Sequence, residues 1–155
     1  MKKFTWILAS ALLLFPLTAN ASVSTKVDSG VTTHISQTRT NPWSSFELRK
    51  ENDQSLPTVT LKLTDYTPYF FSNNTQLITD GAVSDLKLLD TYRNQTQFKS
   101  LVNSIGTYQL SSSQINAIKE AKNVSIRTVS YNNPTTTWKV SGKILKEWQE
   151  VLAKN

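Results

Sequence analysis

GTYQLSSSQINAIKEAKNVSIRTVSY, residues 106–131, reads as a strand, a capped helix and a second strand. Thr107 to Leu110 is β-rich. Ser111 stands three residues before Gln114, the spacing at which a serine hydroxyl and a glutamine amide satisfy each other's backbone N–H groups at a helix start. Ile115, Ile118 and Ala121 then share one helical face, with Lys119, Glu120 and Lys122 turned mostly away. So short a helix has little stability of its own and needs a surface to pack on, for which the flanking strands are the nearest support. The second strand changes phase: Val124 and Ile126 share one face, Val129 and Tyr131 the other. This predicts either a bulge near Arg127-Thr128 or cover on both faces, by this helix and a C-terminal one.

Working outward, Asn132-Asn133-Pro134 reads as a loop that runs on to Trp138. Ser141 can cap a last helix over 142–153, where Ile144, Leu145, Trp148, Val151 and Leu152 form one apolar stripe. Upstream, alternation dominates. Val59, Leu61 and Leu63 oppose Thr58, Thr60, Lys62 and Thr64, the pattern of an antiparallel strand with one solvated face. Phe46 and Leu48 mark a second strand, and Val31, Thr33 and Ile35 a third whose outward positions are Thr32, His34 and Ser36. Asp80-Gly81 between Leu77-Ile78 and Ala82-Val83 predicts a tight hairpin, with Leu86, Leu88 and Tyr92 continuing the alternation. Residues 93–105 read as a short helix or turn. The fold class is α+β and mostly β: an antiparallel curved sheet or sandwich, a short helix over 112–122 and an amphipathic C-terminal helix. The alternative joins Thr107–Leu110 and Val124–Tyr131 as a parallel pair through the helix.

Residues 1–21 have the form of a cleavable signal: Lys2 and Lys3, an apolar run from Trp6 to Leu17, and Ala19-Asn20-Ala21 before Ser22. The run is too short for an ordinary membrane span, and no second one follows. Residues 22–30 are expected to be a flexible lead-in and 31–155 a single domain. The chain has no cysteine, which rules out disulfides and thiolate metal sites. Together these features lead to the expectation of a periplasmic or secreted bacterial protein. Losing Lys2 and Lys3 takes the formal charge from +6 to +4, and the remaining cations are scattered apart from Arg49-Lys50. That is no nucleic-acid footprint, which needs a stripe or cluster.

The catalytic inventory is thin. The one histidine, His34, has no nucleophile motif around any serine to serve. Among the eleven carboxylates only Asp65 and Asp80 invite inspection as a hydrolytic pair, and Asp80 already has a role as a turn residue. No ligand set for a metal and no glycine-rich loop for a cofactor is present. Aromatic residues are the better lead. Tyr66, Tyr69, Phe70 and Phe71 cluster about Pro68, and Trp43 and Trp138 fall in expected loops. Exposed rings of this kind stack on sugars or meet another protein. The expectation is a non-catalytic binding or interaction module for a protein or glycan, with Tyr66, Tyr69 and Trp43 as ligand contacts. The alternatives are a small carboxylate hydrolase and a surface assembly subunit that uses its sheet edges.

Overall fold

The computed structural model describes residues 22–41, 44–52, 57–65, 71–95, 102–130 and 133–154. Ten strands and two helices follow in order: β1 (Ser22–Asp28), β2 (Val31–Asn41), β3 (Ser44–Asn52), β4 (Thr58–Asp65), β5 (Gln76–Thr79), β6 (Ala82–Asp85), β7 (Lys87–Gln95), β8 (Val102–Gln109), α1 (Ser112–Glu120), β9 (Val124–Ser130), β10 (Asn133–Val140) and α2 (Gly142–Ala153). They make two wholly antiparallel sheets, one in the order β1-β2-β3-β4-β8-β7 and the other β10-β9-β5-β6. The mostly β, α+β class stands. The parallel alternative does not, because β8 and β9 belong to different sheets.

One core joins both sheets and both helices. Phe46, Leu48, Leu61 and Leu63 supply it from the large sheet, Leu77, Val124 and Ile126 from the small one, and Ile118 and Trp148 from the helices. Phe46 meets Trp138 and Trp148 with ring centroids 6.1 and 6.0 Å apart, so it ties the large sheet to β10 and α2 at once. Gly106 makes room for a neighbour: a Cβ there would stand 2.6 Å from that of Phe71, which packs in turn against Trp138.

Both helices begin as their sequences predict. Ser111 Oγ accepts from Gln114 N and Gln114 Oε1 accepts from Ser111 N, closing the capping box, while Ser141 Oγ accepts from Ile144 N. Their C-terminal ends are satisfied from elsewhere. Gln149 Nε2 on α2 donates to the carbonyls of Ile118, Lys119 and Ala121 at the end of α1. Lys50 Nζ donates to those of Leu152 and Lys154 at the end of α2.

Several expectations are corrected. The segment read as a flexible lead-in forms β1, which pairs with β2 from Ser22↔Gln37 to Asp28↔Val31. Its hydroxyl-rich sequence hides a strand because it is an edge, with only one neighbour. Residues 93–95 and 102–105 end β7 and begin β8 rather than making a helix or turn, while 96–101 lie outside the described residues; alternation of buried Ser104, Gly106 and Tyr108 outweighs the helical spacing of Phe98, Leu101, Val102 and Ile105. Trp138 lies on β10, half-buried against the core, not in a loop. Tyr92 is 53% exposed, because a register shift between Leu88 and Asp90 turns it outward. Along β9, Val124, Ile126 and Thr128 are all buried, and the irregularity lies in the partner strand, between Asn133 and Thr136. Both helices enter the core that takes Val124 and Ile126, so α1 and α2 do not cover opposite faces of β9. The side chain of Val129 and all of Tyr131 lie outside the described residues.

Candidate functional site: a basic cleft between the sheets

The most polar inward surface lies on β2. Cross-strand partners share a face, so Thr32, His34, Ser36 and Thr38 look the same way as Phe46 and Leu48. His34, expected outward, is 5% exposed and hydrogen-bonded through Nδ1 to Thr25 Oγ1 at 2.9 Å. The inversion has a physical cause. The element covering this side of the sheet is α2, and it presents Glu147 there, whose Oε2 accepts from Ser36 Oγ and Thr38 Oγ1 at 3.4 and 3.5 Å. A polar helix flank is matched by a polar strand face.

Lys50, directly opposite His34 on β3, has its pKa lowered, first by burial and then by the charge of Lys119. Tyr108 is pushed up to about 12 by burial, against the opposing effect of hydrogen bonds with Thr75 and the Ser72 carbonyl. Each of these groups is held by structural partners at a helix end or within the core.

The hydrolytic pair is likewise accounted for by structure. Asp65 is buried at the end of β4 and accepts from Ser44 Oγ at 2.9 Å. Asp80 sits at the β5–β6 turn, where Asp80 and Gly81 have φ of 47° and 92°. Its carboxylate accepts from Lys122 N, Asn123 N and Asn123 Nδ2, pinning the α1–β9 connection to the hairpin. Those backbone donors hold its pKa below the usual carboxylate value. Among the described residues no cluster of three or more His, Asp or Glu side chains is placed to hold a metal. Tyr66, Tyr69 and Trp43, the expected ligand contacts, lie outside the described residues, as does Phe70; Phe71 is buried.

Sequence reasoning did not single out a cleft beside the N-terminal end of α2. Thr38, Arg39 and Thr40 of β2, Lys139 of β10, Ser141, and Lys143 and Ile144 of α2 line a cavity of ≈ 220 Å³. Three basic residues from three elements, Arg39, Lys139 and Lys143, line it, and among the described residues no carboxylate does. Their nearest cross-strand neighbours are serines: Arg39 pairs with Ser45, Lys139 with Ser125. Lys143 stands four residues before Glu147, but that carboxylate is turned to Ser36 and Thr38 and forms no ion pair with it. By contrast Arg49, half of the adjacent basic pair in the sequence, is neutralised by Glu47 and Glu51 at 3.2 and 3.4 Å. No single stretch of sequence could disclose the cleft, since Arg39 lies about a hundred residues from Lys139 and Lys143 and lines the same cavity only through the fold.

No protein-family model, curated protein or solved structure matches the chain.

Proposed function

We propose that the protein is an exported, non-catalytic binding module of the bacterial envelope or secretome. The observation that carries this reading is the basic cleft: a concave surface lined by three basic residues and, among the described residues, by no acid is suited to recognition, while Asp65 and Asp80 are committed to structural hydrogen bonds. Thr40 Oγ1 donates to Ser44 O, and Ser44 pairs with Asp65; in the sequence Trp43 directly precedes Ser44 and Tyr66 directly follows Asp65. Trp43, Tyr66 and Tyr69 are the proposed ligand contacts. Export rests on the signal-like residues 1–21.

A second reading, an assembly subunit, is favoured by the free edges β1 and β7, where Val27, Leu89 and Tyr92 are exposed. The test is a glycan array and an envelope-protein pull-down with the chain from Ser22, beside a variant carrying Trp43→Ala, Tyr66→Ala and Tyr69→Ala. Retention of a ligand by the parent and its loss in the variant is expected. A parent that retains nothing overturns the binding reading. Reversible oligomers in size-exclusion chromatography, with no ligand retained, turn the choice to assembly.

A further inference from the structure

We infer that the Arg39–Lys139–Lys143 cleft holds one tetrahedral oxyanion, a sulfate or phosphate group, either free or as an ester on a larger ligand. This rests on the binding-module reading and names the chemistry its ligand presents. The basic residues that line the cleft come from β2, β10 and α2, and a group that offers oxygens in several directions suits donors on separate elements better than a planar carboxylate. Three basic residues, with no acid among the described lining residues, also exceed what a single negative charge neutralises.

The hydroxyls are used unequally. Thr38 donates to Glu147 and Thr40 to the Ser44 carbonyl, whereas Ser141 Oγ accepts from Ile144 N and keeps its own proton to donate. The volume of ≈ 220 Å³ lies below the roughly 300–1,000 Å³ of pockets that enclose a whole small molecule. It suits one charged group, with the remainder of an ester lying outside. Arg39, Lys139 and Lys143 are all solvent-exposed, so the ion enters without rearrangement and binds more weakly as salt rises.

The experiment is an NMR titration of the ¹⁵N-labelled chain from Ser22 with sodium sulfate and sodium phosphate, against sodium chloride at matched ionic strength. One disaccharide, in sulfated and unsulfated forms, is titrated in parallel. Saturable shifts confined to the amides of residues 38–41 and 139–144 are expected from the oxyanions. Affinity should fall about two- to fivefold in Lys139→Ala or Lys143→Ala and about tenfold in the double variant, the range for exposed charge pairs. Lys87→Ala, on the far edge of the large sheet, should leave it unchanged.

Saturation by the inorganic ions alone identifies a free ion as the ligand, and tighter binding of the sulfated than of the unsulfated sugar identifies an ester. Shifts that never saturate, or that persist equally in the double variant, overturn the inference. The two readings fail separately. A glycan or protein retained equally by the double variant, with no sulfate or phosphate shifts in the parent, leaves the binding module without an oxyanion site. Saturable oxyanion shifts with nothing retained on array or pull-down leave the site and remove the macromolecular ligand.

Discussion

At Asp80 one exposed carboxylate fastens two distant turns. Its oxygens receive two backbone N–H groups and one side-chain amide from Lys122 and Asn123, and its own N–H is bonded to Asn123 O at 2.9 Å. Because the folded state holds the ionised form, its pKa lies lower folded than unfolded. The stabilisation it brings is therefore complete above the ordinary aspartate value of about 3.9 and is lost as pH falls from there through the lower folded value. The expected outcome is that Asp80→Asn is less stable than the parent in urea at pH 6, and that the gap closes as the pH is taken below 4. The same residue shows what a sequence can and cannot disclose. Asp80-Gly81 announces a hairpin by itself, since a type I′ turn needs two positive φ angles. The partnership with Asn123 depends on where α1 delivers the chain.

Both helices were legible because their signals are local: a serine cap at each, a glutamine three residues on at the first, and an apolar stripe at the second. The strands divide by the nature of their cover. β4, facing an apolar core, alternates plainly. β2 is covered by the Glu147 side of α2, so His34, Ser36 and Thr38 are buried although polar; Ile35, on the other face, is buried as hydropathy predicts, and alternation does not disclose that both faces are covered. β1 and β10 are edges rich in serine and threonine and show no clean apolar face. What joins the helices to one another is also non-local. Neither ends on a glycine; instead Gln149 Nε2 donates to carbonyls at the end of α1 and Lys50 Nζ to those at the end of α2. Gln149→Ala is expected to cost about 1–2 kcal/mol in urea denaturation, with faster amide exchange confined to the last turn of α1. An unchanged exchange pattern would count against the cap.

At the scale of the molecule, the C-terminal helix closes the space between the sheets. Trp148 is fully buried and its ring lies 6.0 Å from that of Phe46, so α2 is part of the same core as the large sheet. Trp148→Ala is expected to lower stability by about 3–5 kcal/mol as the surrounding side chains fail to fill the vacated volume. Loss should appear as a single transition by both near- and far-ultraviolet circular dichroism; two separated transitions would mean that the sheets hold together without the helix. The sheet topology also governs how quickly that state is reached. Neighbouring strands such as β2–β3 and β9–β10 pair early, but β4–β8 and β5–β9 bring together Leu61 with Tyr108 and Leu77 with Ile126, each pair roughly fifty residues apart. Such ladders form only after large loops have closed, which sets folding in the millisecond-to-second range. A chain that folds this slowly remains open long enough to be threaded through a narrow channel before its two sheets meet.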